Sequence, residues 1–253
     1  MSLRSKVYLI IERLLSKCTD NIVCISKAEK QSAIREAISS EDKLVLIPNG
    51  ICIDKVRNAV GKRRGELGVA EDTFVVGMIG RLTPQKAPDI FIRAAELIKS
   101  EIPNSAYIIV GDGEQREETE AYAKEHGISL LVTGWTDEPY AYLKVFDVAL
   151  LLSRWEGFGL AIVEYMAAEK NVVASKVDAI PTLVDDGVDG LLVEVDNPKD
   201  VAEKVLYLYR HPEEARKMRD VALEKVINNY DISRVVKQHE EMFMKLVSMK
   251  TDE

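Results

Sequence analysis

The chain has 253 residues, and 47% of them are hydrophobic, which is enough for one large domain or for one domain and part of another. Its formal net charge of −8 argues against general binding to nucleic acids. The three cysteines form no CxxC pair, which favours free thiols in a reducing cytosol over disulfides or a zinc site. No apolar run approaches the length of a membrane span, so we expect a cytoplasmic protein.

The first fifty residues predict two helices and two strands. Residues 3–17 combine cations with apolar side chains at helical spacing, which indicates a basic amphipathic helix. Strands are predicted over 21–26 and 43–47, with a helix over 27–38 between them. The helix 3–17 is a candidate for peripheral contact with an anionic membrane surface, for packing in a core, or for dimerisation with a second copy of the chain.

From Phe74 onward, strand-like and helical stretches alternate. Before them, residues 51–72 are charged and weakly periodic, and they predict a connector with a short helix. The strands are predicted at 74–79, 107–110, 130–132, 148–152, 172–174 and 190–193. The helices are predicted at 87–99, 114–125, 139–145, 160–168 and 199–209, with two more over 212–248 that break at 228–231. The alternation is typical of βαβ units, so we expect an α/β fold with a doubly wound, Rossmann-like parallel sheet.

The segment EGFGLAIVE, from Glu156 to Glu164, follows the apolar run 148–152. Its glycines precede a helix that begins near Leu160, and such a helix start presents free backbone N–H groups that suit phosphate. The two glutamates lie on either side of that helix start, where they could accept hydrogen bonds from hydroxyls flanking a bound diphosphate. The pattern therefore indicates a nucleotide sugar. The alternative is an ordinary strand–helix turn with two surface glutamates.

Two cations flank the first turn of the regular region, GRLTPQK. Arg81 and Lys86 could neutralise a diphosphate, the first as a planar fork and the second as a point charge. The alternative is a solvated loop with two surface cations. The next junction, from Gly111 to Gly113, resembles the start of a dinucleotide fingerprint, but Arg116 occupies the place of the third glycine. A plain tight turn is therefore favoured there.

The motifs GRLTPQK, VGDG, VTGW and EGFGLAIVE, in this order and spacing, resemble the donor domain of family-4 retaining glycosyltransferases of the GT-B fold, glycosyl transferase group 1. The resemblance runs from about Asn21 to the C-terminus. It implies one GT-B half domain and the tail of the preceding, acceptor-side domain. We therefore expect a fragment with little or no transfer activity alone. The implied segments are an N-terminal remnant at 1–50, the connector at 51–72, a donor-binding domain at 73–231 and a crossing helix at 232–253.

The resemblance assigns roles to the matched positions. Arg81 and Lys86 match cations that hold the donor diphosphate and stabilise the leaving group, and Glu156 matches the glutamate that contacts the transferred sugar. These are the expected catalytic residues. Glu164 matches the glutamate that binds the ribose. Donor binding is also expected from the base-binding turn and the phosphate-capping backbone, that is Gly80, Gly134, Trp135, Gly157, Phe158, Gly159 and Leu160.

One loop departs from the family pattern. Residues 178–182 read DAIPT where the family often shows two glycines, isoleucine, proline and glutamate. The loop precedes a helix near the expected donor site. We expect the change to alter the choice of sugar and to leave the diphosphate assignment untouched.

The resemblance implies transfer of a sugar from a UDP- or GDP-sugar to a glycan or lipid-linked acceptor, as in polysaccharide biosynthesis, in the cytoplasm or at the inner face of its membrane. No Asp-x-Asp triplet occurs, which agrees with a family pattern that uses protein cations, so no metal or other cofactor is expected. Three alternatives remain. They are a nucleotide-sugar binding module without turnover, a GT-B sugar-nucleotide epimerase, and a response-regulator-like domain, which would need an acidic cluster where this chain has cations.

Overall fold

The computed structural model of the protein describes residues 3–251, and the side chains of 6–248. Within this range the N-terminal part contains α1 (Leu3–Leu15), β1 (Ile22–Cys24), α2 (Lys27–Arg35) and β2 (Leu44–Leu46). The later strands are β3 (Phe74–Ile79), β4 (Ser105–Val110), β5 (Leu130–Val132), β6 (Val148–Leu151), β7 (Asn171–Ser175) and β8 (Leu191–Val193). The later helices are α3 (Ile53–Arg57), α4 (Pro88–Glu101), α5 (Arg116–Glu125), α6 (Pro139–Leu143), α7 (Leu160–Ala167), α8 (Ile180–Leu183), α9 (Pro198–Arg210), α10 (Pro212–Asn229) and α11 (Ile232–Thr251).

The main sheet is parallel, with the strand order β5-β4-β3-β6-β7-β8, while β1 and β2 form a separate parallel pair. Its strands are buried on both faces, because alternate side chains enter two different hydrophobic clusters. Val75 belongs to one cluster and Val76 to the other, and Ile108 and Ile109 divide in the same way. Helices cover both faces, as a parallel sheet requires. The predicted α/β fold with a doubly wound sheet is confirmed.

The element boundaries follow the predicted ones with two informative differences. Helix α5 begins two residues later than expected, because the backbone N–H of Gln115 donates to the carbonyl of Leu82 at 3.0 Å and holds the preceding turn against the loop after β3. A helix was expected to follow residues 178–182, without bounds, but helix α8 already begins at Ile180, inside the predicted loop. It is a single turn, too short to produce a periodic pattern in the sequence.

The predicted connector packs against the main sheet. Ile51, Ile53, Val56 and Val69 are buried within one of the two hydrophobic clusters. The start of α11 is joined to the same segment, since the N–H of Ile232 donates to the carbonyl of Ile51 at 2.9 Å. Farther along, α11 and β2, with the residues just before β1, line a common cavity of about 680 Å³. The domain boundaries themselves stay a prediction.

Helix α1 leaves a large part of its apolar surface exposed to solvent. None of the helices described between residues 3 and 251 is both long and apolar enough to cross a membrane. The apolar side chains that are about half exposed are Val7, Tyr8, Ile10, Ile11, Leu14 and Leu15. Whether a membrane, a core or a second copy covers them stays a prediction.

A glycine in β3 is fixed by an aromatic ring beneath the sheet. A Cβ at Gly77 would collide with the ring of the buried Phe146. Gly77→Ala should therefore destabilise the protein by about 1–3 kcal/mol, the usual cost of overpacking a core. Urea unfolding would measure this. Gly65→Ala is the control, because no heavy atom lies within 4 Å of its added Cβ. Equal stability of the two variants would contradict the expectation.

Candidate functional site

The candidate site lies between β3 and β6, where the order in which the chain adds strands to the sheet reverses. The chain leaves β3 for β4 and β5 on one side, and then returns to the other side of β3 with β6. Such a point opens a crevice beyond the carboxyl ends of the strands, where ligands of open α/β sheets bind. Arg81 and Lys86 follow β3, and Glu156 follows β6, so the topology brings the predicted cations and the first glutamate to the same crevice.

Lys86 and Glu156 form an ion pair across this crevice, between the ammonium Nζ and the carboxylate Oε2. The hydroxyl of the buried Ser153 donates to the same oxygen at 3.0 Å. The two charged side chains are 16% and 13% exposed, so their attraction is screened less than that of a surface pair. Of its two carboxylate oxygens, Glu156 uses only Oε2 for described partners, which leaves Oε1 for a ligand hydroxyl.

The backbone after Glu156 forms the start of α7. Gly159 precedes the helix with a φ of 98°, a left-handed conformation that glycine adopts at low cost. No described side chain caps this helix start, so its first N–H groups can meet an anion. Gly157 and Leu160 are exposed, whereas the ring of Phe158 is buried, with its centroid 6.0 Å from that of Tyr230. Only the backbone of Phe158 is therefore suited to a phosphate.

Glu164 lies one turn farther along α7 and has a different partner. Its Oε1 accepts a hydrogen bond from the hydroxyl of Tyr140 at 2.7 Å. Burial raises the pKa of Glu164, and the Tyr140 hydrogen bond and the charge of Lys55 offset part of that rise. The two predicted glutamates thus face separate groups, Lys86 for the first and Tyr140 for the second.

Arg81 and Trp135 are exposed to solvent. Arg81 is exposed, and its Nη2 donates to Oε1 of Gln85 at 3.2 Å. Trp135 is 77% exposed, beside the buried Gly134. Gly134 pairs with Gly111, and this bridge joins the loops after β4 and β5. The binding roles of Arg81 and Trp135 stay predictions.

The loop that departs from the family pattern contacts the site directly. Asp178 follows β7 and has a left-handed φ of 46°, an uncommon conformation for a residue with a side chain. Its Oδ2 accepts a hydrogen bond from the backbone N–H of Glu156 at 2.9 Å. A strained residue beside a charged site is a frequent feature of functional loops. Its effect on sugar choice stays a prediction.

Sequence reasoning missed two polar partners in this site, Ser153 and Tyr140. Ser153 stands three residues before Glu156, and its place directly after the apolar run 148–152 was the one signal in the sequence. Tyr140 lies in α6, and nothing in the spacing of its neighbours connects it with Glu164. Among the described side chains, no group of three or more His, Cys, Asp or Glu residues is placed to hold a metal ion.

A family model matches most of the regular part of the chain. The model for glycosyl transferases group 1 matches residues 61–225. The chain is 31% identical, over 252 residues, to the UDP-Gal:alpha-D-GlcNAc-diphosphoundecaprenol alpha-1,3-galactosyltransferase of Escherichia coli. That match covers 96% of this chain and 65% of the relative. The chain thus spans less than two thirds of that enzyme, and about half of the length of other curated relatives.

Solved structures share the fold at lower identity. The Anabaena protein HepE, in complex with UDP and glucose, superposes with a TM-score of 0.84 at 23% identity, over 95% of this chain and 67% of that one. The C-terminal domain of the Francisella tularensis glycosyl transferase group 1 family protein LpcC superposes with a TM-score of 0.65 at 23% identity. The superposition covers 72% of this chain and all of the LpcC domain. Both likenesses concern the fold.

The half-buried carboxyl of Glu164 predicts a pH-dependent stability. Because its pKa is raised in the folded protein, the folded state holds the proton more tightly, and stability falls as the pH rises through the folded pKa. Glu164→Gln removes the charge and keeps an acceptor for Tyr140. We expect this variant to unfold at a higher urea concentration than wild type at pH 7, and the gain to disappear as the pH falls to about 4.

Glu203→Gln is the matched control for this measurement. It removes one negative charge from an exposed position on α9. A stability difference for Glu164→Gln that is the same at pH 4 and pH 7 would show that packing, and not the charge, distinguishes the variant.

Proposed function

Because this chain belongs to the family of glycosyl transferases group 1, we propose that it forms the donor-binding half of a retaining glycosyltransferase that uses a UDP- or GDP-sugar. The observation that carries the proposal is the Lys86–Glu156 pair in the crevice between β3 and β6, next to the uncapped start of α7. A cation and a helix start suit a diphosphate, and a carboxylate beside them suits the hydroxyls of the sugar it carries.

The charges of the site fit the charges of the reaction. When a sugar leaves its nucleotide, positive charge develops at the anomeric carbon and negative charge develops on the departing diphosphate. Arg81, Lys86 and the first N–H groups of α7 would stabilise that diphosphate, and Glu156 would hold the sugar. Such contacts lower the barrier because they strengthen as charge develops. Loss of one contact typically costs about 3–4 kcal/mol in the barrier.

We further propose that the nucleotide is UDP and that the acceptor is lipid-linked. The E. coli relative is named for UDP-galactose and a diphosphoundecaprenol-linked sugar, and its match covers 96% of this chain. A role in polysaccharide assembly at the inner face of the membrane follows from such an acceptor. Glu164, half-buried beside Tyr140, would bind the ribose, and protein cations would take the place of a metal ion.

Two other functions remain as alternatives to transfer. An inert nucleotide-sugar binding module would bind the donor without turnover, even after an acceptor-side domain is supplied. A sugar-nucleotide epimerase would change the donor sugar without any acceptor. The Glu156 and Glu164 pattern argues against the epimerase, because the resemblance to transferases assigns one glutamate to the sugar and the other to the ribose.

Calorimetric titration with UDP and GDP, with EDTA present, tests the proposed site. Arg81→Ala and Glu164→Ala should each weaken nucleotide binding by about tenfold or more, since a hydrogen bond to a charged group contributes about 1.5–3 kcal/mol. Arg93→Ala is the control, because Arg93 is exposed on α4, outside the crevice. If both site variants bind UDP and GDP as wild type does, the site is misplaced.

Glu156→Gln tests the assignment of the sugar. Glutamine keeps a neutral acceptor for Lys86 and Ser153 but accepts weaker hydrogen bonds from sugar hydroxyls. The affinity for UDP-galactose should therefore fall by about tenfold, while the affinity for free UDP changes little. Titration of the same preparation with both ligands measures the split. Equal losses for the two ligands would count against a sugar-binding role.

A further inference from the structure

Arg154 lies two residues before Glu156, and its side chain contacts the loop after β3, the first turn of α4 and the loop after β8. Its Nη1 donates to the carbonyl of Pro84 at 2.7 Å, and its Nη2 donates to Oδ2 of Asp89 at 2.7 Å. Its Nε donates to Oδ1 of Asp196 at 2.6 Å. The side chain is 23% exposed, so these charge-assisted bonds are partly shielded from water.

The contacts of Arg154 align the two loops that carry the ion pair. The backbone N–H of Arg154 donates to the carbonyl of Gln85 at 2.8 Å, and Nε2 of Gln85 donates to the carbonyl of Trp155 at 3.0 Å. Pro84 stands two residues before Lys86, just as Arg154 stands two residues before Glu156. The Lys86–Glu156 pair is therefore the next contact along two loops that are already held side by side.

The geometry requires an arginine at this position. Three different guanidinium nitrogens each meet an acceptor on a different residue, and the planar fork fixes the angles between those bonds. A lysine ammonium has three donors around one nitrogen, so it could not reach Pro84, Asp89 and Asp196 together. None of these three partners is among the residues expected to contact the donor.

We propose that Arg154 is a positioning residue that fixes the separation of Lys86 and Glu156, and thereby the gain in affinity that a sugar nucleotide has over its free nucleotide. The proposal rests on the proposed function. Without Arg154, free nucleotide still meets Arg81, Glu164 and the start of α7. The sugar, however, needs Glu156 at a set distance from the diphosphate that Lys86 holds, so the contribution of the sugar to binding is lost first.

Calorimetry with UDP and UDP-galactose tests this role, and the quantity compared is the ratio of their dissociation constants. Arg154→Ala should lower the preference for UDP-galactose by about tenfold, with little change for UDP, and Arg154→Lys should behave in the same way. Ethylguanidinium should restore the preference of Arg154→Ala, whereas ethylammonium should not. Arg210→Ala is the matched control, because Arg210 bonds Glu101 at 2.7 Å on the helices and not on the site loops. It should leave the ratio unchanged.

Combination with Glu156→Gln separates positioning from a general structural role. In that background Arg154→Ala should cause no further change in the ratio, since the contact that it positions is already impaired. Three outcomes would each overturn the inference. The first is an additional loss in that background, and the second is an unchanged ratio in the single variant. The third is equal weakening of both ligands together with a lower urea midpoint. Wild-type affinities that are equal for UDP and UDP-galactose would also overturn it. In all these cases wild-type binding of UDP would leave the donor-binding proposal intact.

A measurement without ligand keeps the two proposals distinguishable. If wild type binds no nucleotide, the proposed function fails, and the role of Arg154 is decided by unfolding in urea. A double-mutant cycle measures the coupling between Arg154 and the ion pair. Its variants are Arg154→Ala, Lys86→Met and the combination of the two. The sum of the midpoint shifts of the two single variants should exceed the midpoint shift of the double variant. Additive shifts would show that Arg154 does not set the geometry of the pair.

Discussion

The site depends on the ion pair between Lys86 and Glu156, which joins the loops after β3 and β6, where the strand order of the sheet reverses. Both side chains are largely withdrawn from water, so each offsets the cost of desolvating the other. The pair exists only because β3 and β6 are neighbours although about seventy residues separate their loops. It also holds the two charges that a donor would engage, since a diphosphate attracts Lys86 and hydroxyl donors compete for Glu156.

Closely packed aromatic side chains beneath the loops keep this pair in place. Tyr165 is fully buried under the crevice, and its hydroxyl accepts a hydrogen bond from the backbone N–H of Ile79 at 2.8 Å, at the end of β3. On the same strand the space beside Gly77 is filled by Phe146. Closely packed interiors of this kind transmit small displacements. The loops above can therefore hold charged groups at fixed separations, which is what discrimination between a nucleotide and its sugar derivative requires.

Much of the fold and part of the site could be predicted because their signals are local. The strands at 74–79 and 130–132 have the predicted bounds, since continuous apolar runs between turns leave little choice. The switch-point placement of Lys86 and Glu156 follows from the order of strands and loops. The hydrogen bond from Tyr140 to Glu164 could not be predicted, because it joins two helices whose approach depends on the packing of the whole sheet. The same holds for the contacts of Arg154, which join residues far apart in the chain.

By itself the sequence determined which residues are candidates for the chemistry and which strands they follow. Its apolar periodicity required a parallel sheet, and its motifs required that cations and glutamates follow particular strands. Tertiary structure alone decided which of these groups meet. It pairs Lys86 with Glu156, places the hydroxyl of Tyr140 in hydrogen-bond contact with Glu164, and leaves Arg81 exposed. The physical reason is that periodicity is set by neighbours along the chain, whereas an ion pair is set by strand order and by the burial that the other strands provide.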